Sequence, residues 1–316
     1  MWHPIPGGGT YRSFGHCPSI NSSGTVLFEA NFTTGGGTDE FGVFIDSGGL
    51  HSAIFLEGEA APMTGGGTSP PTSAGTYASP GLCPSINDSG QVAAVFEIAG
   101  GTTTRGLFVD SGGVDSAIAL VGDVAPGTDG GVYTDIDLNF SSSSSSMNSD
   151  GDVVFHADVA NGSASHGIFV DSGGTQSAVA LLGDPAPGIG DFYTWLGGSS
   201  INESGDVAFL AGAGSISGIF VDSGGTDLAV AVEGELAPGS GGGTYSFFGV
   251  PEINAAGPIA FPAAIEGGNI EQAIYIVPEP SQPIQLIAGF AMLGVLRRWH
   301  QSRKSRRPVC TRSASS

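Results

Sequence analysis

Apolar residues in this chain fall into runs of four to six, rich in Val, Ile, Phe and Tyr, each bounded by Gly, Asn, Asp or Ser. Runs of that length and composition predict β-strands, and nothing in the body of the chain sustains a helical period beyond two turns. The runs also recur in a fixed order, so the chain is built of repeats. One phrase is Asn-x-x-Gly followed by an apolar run: Asn21 to Gly24 before Val26, Asn87 to Gly90 before Val92, Asn148 to Gly151 before Val153, Asn202 to Gly205 before Val207, and Asn254 to Gly257 before Ile259. The Asn-to-Asn steps of 66, 61, 54 and 52 residues vary while the phrase persists, which predicts loops of differing length on a constant scaffold.

Three further phrases complete the repeat. Gly-x-Phe-x-Asp-Ser-Gly-Gly runs from Gly42, Gly106, Gly167 and Gly218, with Ala273-Ile-Tyr275-Ile as a degenerate fifth copy. An Ala-led apolar run follows at Ala53, Ala117, Ala178 and Ala229, each ahead of a Gly-acid-x-Ala-Pro segment. A Gly-rich stretch leading to an aromatic residue precedes the next Asn, at Tyr11, Tyr77, Tyr133 and Tyr245. Asn or Asp at the first position of a type I turn bonds its own backbone, and Gly at the fourth takes φ > 0. Both Asn-x-x-Gly and Asp-Ser-Gly-Gly are therefore predicted to be corners between strands.

Four antiparallel strands repeated at roughly 40 to 60 residues predict an all-β, propeller-like body of about five blades over residues 1–276. A β-solenoid or a stack of β-sandwich units is the competing architecture. The chain opens on the fourth phrase and its last repeat stops after the second, so the fifth repeat lacks one strand unless residues 1–5 supply it. A ring so built keeps an open edge, and the opening residues lack the basic start and apolar stretch of a secretory signal. Both features lead to the expectation of a reading frame that starts upstream of Met1.

Charge divides the chain in two. Residues 1–296 hold two basic and thirty acidic residues, whereas Arg297, Arg298, Arg303, Lys304, Arg306, Arg307 and Arg312 crowd the end. A body that acidic repels phosphate backbones, which argues against nucleic-acid binding and leaves cations, neutral polymers or basic surfaces as partners. Cys17 and Cys83 stand at equivalent places in two repeats, and Cys310 stands apart from both. Equivalent positions in neighbouring repeats are expected to be too distant for a disulfide, so unpaired thiols are expected.

Candidate chemistry is sparse. The six histidines recur at no fixed repeat position, and His156-Ala-Asp158 reads more simply as same-face neighbours on a strand than as metal ligands. Asn148-Ser-Asp150-Gly-Asp152 resembles a calcium loop but lacks its full set of oxygen ligands, leaving at most loose calcium binding on an acidic surface. No cofactor, metal site or catalytic residue is expected.

After Ile276 the pattern changes to Val277-Pro278-Glu279-Pro280-Ser281 and then an apolar stretch. That stretch, Ile284, Leu286, Ile287, Phe290, Leu293, Val295 and Leu296 among its members, is predicted to be a short hydrophobic helix stopped by Arg297 and Arg298. Thirteen helical residues span roughly 20 Å against a hydrocarbon core of about 30 Å, and the positive cluster predicts that this end stays cytoplasmic with the acidic body outside. Val-Pro-Glu-Pro-Ser, a short apolar segment and a terminal Arg cluster together resemble the PEP-CTERM sorting signal of Gram-negative bacteria over residues 277–307. The resemblance implies that Pro278, Glu279 and Pro280 are handled by an exosortase, a membrane transpeptidase that processes exported proteins linked to extracellular polysaccharide and biofilm. Residues 308–316 are expected to be disordered. The body separately resembles tandem Asn-x-x-Gly-x-x-Ala-Phe repeat proteins, best at Gly205 to Phe209 and Gly257 to Phe261, which implies a repeat architecture without a defined activity. The expectation that results is a non-enzymatic protein of the cell surface, outer envelope or extracellular matrix, membrane-anchored at least transiently, with a structural, adhesive or glycan-binding role. The alternative is a secreted propeller hydrolase or lyase acting on polysaccharide.

Overall fold

In the computed structural model, which describes residues 9–62, 75–81, 83–138 and 147–278, the apolar runs are strands and no helix occurs among the described residues. They form five antiparallel sheets in chain order. The long strands of the first sheet are Thr10–Phe14, Val26–Thr33, Asp39–Ser47 and Leu50–Leu56, and those of the second Thr76–Pro80, Val92–Ala99, Arg105–Asp110 and Asp115–Leu120, with the two-residue strands Ser19–Ile20 and Ser85–Ile86 added to each in turn. The third holds Val132–Asp137, Val153–Ala160, His166–Ser172 and Thr175–Leu181, and the fourth Asp191–Ile201, Val207–Ala213, Ile216–Asp222 and Asp227–Val232. The fifth has only three long strands, Thr244–Phe248, Ile259–Glu266 and Gln272–Val277. In every sheet the long strands follow one another as a meander, with the fourth-phrase strand outermost among them.

The two glycine corners differ in kind. At Asn-x-x-Gly the chain makes the expected type I turn: the N–H of Gly24, Gly90, Gly151, Gly205 and Gly257 donates to the carbonyl of the Asn three residues back, and each Gly has φ between 80° and 94°. At Asp-Ser-Gly-Gly the expected type I turn is corrected. Both glycines have positive φ, 63° and 86° at Gly48 and Gly49 for instance, and they form the tip of a two-residue hairpin closed by Ser47 and Leu50. That mirror-image turn matches the right-handed twist of the strands it joins, which a type I turn there would splay. The Asp side chain caps the tip, Asp46 Oδ1 accepting from Gly49 N–H at 3.1 Å and Asp110 Oδ2 from Gly113 N–H at 2.9 Å.

Every sheet carries the same aromatic trio on one face. Tyr133, Phe155 and Phe169 have ring centroids 5.2 to 5.8 Å apart, and Tyr11–Phe28–Phe44, Tyr193–Phe209–Phe220 and Tyr245–Phe261–Tyr275 repeat the arrangement. The second sheet solves the same problem differently. Ala94 occupies the phenylalanine position, and Phe96, two residues along on the same face, supplies the ring against Tyr77 and Phe108. The Gly that opens Gly-x-Phe makes room for the third ring: a Cβ on Gly167 would stand 2.8 Å from Phe169 and 2.6 Å from Leu181. The fifth copy has Ala273 at this place, where among the described residues no fourth strand brings a leucine against it.

The opposite face of each sheet is aliphatic, and sheets stack aromatic face on aliphatic face. Ala93, Val95, Leu107 and Val109 of the second sheet pack against Tyr133, Phe155 and Phe169 of the third. Leu27 and Val43 meet Tyr77, Phe96 and Phe108; Val154 and Ile168 meet Tyr193, Phe209 and Phe220; Ala208, Ile219 and Val221 meet Tyr245 and Phe261. The core is thus four successive junctions of one design.

Cys17 and Cys83 form a disulfide across 66 residues of sequence with their Cα atoms 4.9 Å apart, which corrects the expectation of unpaired thiols. Neighbouring repeats set their Asn corners side by side, the short strands Ser19–Ile20 and Ser85–Ile86 touching, so equivalent positions there are close. Cys310, the C-terminal hydrophobic helix expected over Ile284 to Leu296, and residues 1–5 lie outside the described residues. Among the described residues no helix is long and apolar enough to cross a membrane.

Two predictions follow from this packing. Phe96→Ala should cost about 3–5 kcal/mol in chemical denaturation, and adding Ala94→Phe to it should return part of that loss because the ring then occupies the position used by the other sheets. Replacing Cys17 and Cys83 together by Ser should lower stability by about 4 kcal/mol, the chain-entropy value for a closed loop of this length, measured against the oxidised protein.

Candidate functional site

The residues singled out by the repeat converge at one end of the sheets. Because the second and third strands of a sheet run antiparallel, the Asn-x-x-Gly corner that opens one and the Asp-Ser-Gly-Gly corner that closes the other lie at the same end. There the Asn at each of the first three corners acts in two directions. Its Oδ1 accepts from its own turn, as in Thr25 N–H to Asn21 at 2.9 Å, Gln91 N–H to Asn87 at 2.8 Å, and Asp152 and Asp206 N–H to Asn148 and Asn202 at 2.9 Å. Its Nδ2 donates to the backbone carbonyl of the equivalent Asn in the next repeat: Asn21 to Asn87 at 3.1 Å, Asn87 to Asn148 at 2.8 Å, and Asn148 to Asn202 at 3.1 Å. The accepting carbonyl already takes the Gly N–H of its own turn, so both lone pairs are used. Asn87, Asn148 and Asn202 are buried, where such complete satisfaction makes a polar group affordable.

Carboxylates brace the same ladder. Asp88 Oδ1 accepts the N–H of Ser22 at 2.7 Å, which holds its pKa below the usual value, and Glu203 accepts both the N–H and the hydroxyl of Ser149 at 2.9 and 3.0 Å. Between the fourth and fifth sheets the link is made by Ser200, whose hydroxyl donates to the Pro251 carbonyl and accepts from Ile253 N–H. Asn254, the fifth corner, is exposed and caps its own turn through Ala256 N–H.

This end is strongly acidic. Burial raises the pKa of Asp171 and Asp222, with Gly N–H groups opposing and the neighbouring Asp152 and Asp206 adding to the rise. Both arginines of the described residues lie at the opposite end, Arg12 with Asp39, and Arg105 bridging to Asp135 and Asp137 of the next sheet. Such a field attracts cations and basic surfaces. At the corner resembling a calcium loop, Asp152 Oδ2 accepts from Asn148 Nδ2 at 2.9 Å, while Asp150 is exposed. Among the described residues no group of three or more His, Cys, Asp or Glu is arranged to hold a metal ion.

A Ser–His contact does occur. His156 Nε2 lies 3.1 Å from Ser199 Oγ, and His166 Nδ1 lies 2.8 Å from Asp158 Oδ1. Both His156 and Ser199 are fully buried, and burial lowers the His156 pKa to about 3 with His166 adding to the effect. A hydroxyl that solvent cannot reach meets no substrate, so this pair serves packing between the third and fourth sheets.

The repeat pattern did not reveal the tyrosine hydroxyls as a set. Each crosses its own sheet to the start of the fourth strand: Tyr77 to Asp115 at 2.9 Å, Tyr133 to Gln176 at 2.8 Å, and Tyr193 to Asp227 at 3.0 Å, with Tyr11 beside His51. Tyr193 follows Asp191-Phe192 instead of a Gly-rich stretch, which hid it from the fourth phrase. Of the predicted sorting residues, Pro278 ends the described chain, while Glu279, Pro280, the apolar segment and Arg297–Arg298 lie outside the described residues.

The sequence profile of a family of unknown function, DUF7453, matches residues 3–218 and, in an overlapping second alignment, residues 139–289. The chain belongs to the DUF7453 family. A profile that fits residues 139–218 twice suits a family of repeats. No curated protein matches the chain. Among solved structures it is similar to a protein of unknown function from Dyadobacter fermentans DSM 18053, 11% identical, with 88% of this chain and 85% of that chain covered and a TM-score of 0.38. It is also similar, at 11% identity in each case, to the acylaminoacyl peptidase of Pyrococcus horikoshii (84% and 51% covered, TM-score 0.22) and a puromycin-hydrolyzing peptidase of Mycobacterium tuberculosis (85% and 52%, TM-score 0.26).

The ladder makes one side chain atom decisive. Asn148→Asp keeps the acceptor for the turn but removes the donor to Asn202, and should cost about 1–3 kcal/mol in denaturant unfolding, whereas Asn254→Asp at the exposed fifth corner should cost less. Asp227 supplies a pH test. Burial raises its pKa to about 7, the Tyr193 hydrogen bond opposing and Asp222 and Asp184 adding, and its Oδ1 is buried without a hydrogen-bond partner among the described residues. A folded-state pKa above the unfolded one means that stability is fully present below the ordinary carboxylate range and is lost as pH rises through about 7. Asp227→Asn keeps an acceptor for Tyr193 and should therefore stabilise the protein at pH 8, by on the order of 1 kcal/mol, with the gain disappearing by about pH 4.

Proposed function

We propose that this chain is a non-enzymatic, exported scaffold of the cell surface or extracellular matrix, sorted by an exosortase through its tail, whose body is an open propeller-like arc of five blades. The observation that carries the reading is that the unusual polar groups of the body are spent on the repeat itself. The corner Asn residues tie one sheet to the next, Asp46, Asp110, Asp171 and Asp222 cap hairpins, and Tyr77, Tyr133 and Tyr193 bond across their own sheets. A regular array of this kind offers many equivalent surfaces in place of one singular cleft, which suits adhesion or exopolysaccharide and glycan binding. The propeller-like reading draws support from the meander order of each sheet and from corners that meet through the Asn ladder, as blades do around an axis. The sorting reading rests on Pro278, Glu279 and Pro280 with the apolar segment and Arg297–Arg298 after them.

The test is to express the full chain and a version lacking residues 278–316 in an exosortase-bearing host and in its exosortase-null sibling, then to fractionate the cells and map the C-terminus by mass. The proposal expects a mature end near Pro280 on surface or medium protein, with retention in the null strain. Identical distribution of both versions in both strains would overturn it.

A further inference from the structure

The two ends of the array are the unmatched halves of the junction that holds its interior together. On the aliphatic face of the fifth sheet, Ile274 is 76% exposed and Ile276 is 70% exposed. Their counterparts one and three residues after Gly42, Gly106, Gly167 and Gly218 line the stacked junctions, and those of Ile274, namely Val43, Leu107, Ile168 and Ile219, are all 0% exposed. At the other end, Phe14 on the first sheet is 56% exposed, whereas its counterparts Ile136, Leu196 and Phe248, each three residues after the fourth-phrase tyrosine, are buried. Tyr11 and Phe28 of the same sheet are half-buried, while Tyr133, Phe155, Tyr193 and Phe209 are buried by the preceding sheet. Among the described residues, the aromatic face of the first sheet and the aliphatic face of the fifth are therefore the two that no other sheet covers.

We infer that these faces dock on each other between two copies of the chain, head to tail, reproducing the interior junction a further time with Ile274 and Ile276 of one copy against Tyr11, Phe14 and Phe28 of the next. The occupant follows from continuity with the four junctions already described, since the chemistry that an aromatic face meets in this protein is the aliphatic face of a sheet of its own kind. Among the described residues the outer edge of Gln272–Val277 also lacks the fourth strand that covers its counterparts. Because the contact joins different surfaces, each association leaves one face of each kind free, and growth continues until a ring closes. The inference stands apart from the sorting of the tail.

The test uses the full chain, kept in mild detergent, with sedimentation velocity and light scattering over a hundredfold range of concentration. The natural chain should grow in mass with concentration. Ile274→Asp and Phe14→Asp, each at an exposed position, should leave circular dichroism and thermal midpoint unchanged while weakening association at least tenfold. An equimolar mixture of the two variants should stop at a dimer, since only one intact pair of faces remains. A monomer at every concentration would overturn the inference. So would growth indifferent to both substitutions, which would place the contact elsewhere, such as in the tail. Closure within one chain would overturn it as well, and would be seen as a disulfide in monomeric Phe14→Cys/Ile276→Cys/Cys310→Ser protein at high dilution.

Discussion

The architecture depends on a carboxamide that faces two ways. A turn of the Asn-x-x-Gly kind needs an acceptor for its own N–H groups, and carboxylate, hydroxyl or carboxamide could supply that. Joining the turn to the next sheet also needs a donor aimed at a backbone carbonyl, which an ionised carboxylate lacks and which the carboxamide carries, without charge, on an atom separate from its acceptor. Asp at the same place would lose the donor and add a negative charge to an end already crowded by Asp150, Asp152, Asp206 and Glu203. Buried at Asn87 and Asn148, the side chain converts a local turn into the register pin between repeats.

The pin works because the sheets it joins have complementary faces. Rings of fixed size on one side and Val, Leu, Ile or Ala on the other fill the space between layers, and the direction of stacking never reverses along the chain. Exchange of Phe and Ala between positions 94 and 96 in the second sheet shows what is conserved between repeats: the presence of a ring on that face, at one of two adjacent rungs. Directionality also explains why the ends differ from each other, aromatic at the first sheet and aliphatic at the fifth.

Strands and corners were legible in the amino-acid sequence because each is specified within a few residues, by an apolar run or by Asn-x-x-Gly, and repetition multiplies the signal. Features that depend on how repeats stack were not. Cys17 and Cys83 stand 66 residues apart, and no local pattern states that adjacent corners touch. The same gap hid the donor half of the Asn role and the burial of His156 against Ser199, both set by the neighbouring sheet. The Asp-Ser-Gly-Gly tip was placed correctly and mistyped, because its two glycines permit positive φ at both positions while a single corner glycine permits it only at the fourth.

Native-state hydrogen exchange at the corners tests the account most directly. If the Asn ladder welds the sheets into one body, the N–H groups of Gly90, Gln91, Gly151, Asp152, Gly205 and Asp206 should exchange only with global unfolding, alongside the central strands of the third sheet. Exchange of these corner amides at the rates of exposed turns, while the strand amides stay protected, would contradict it.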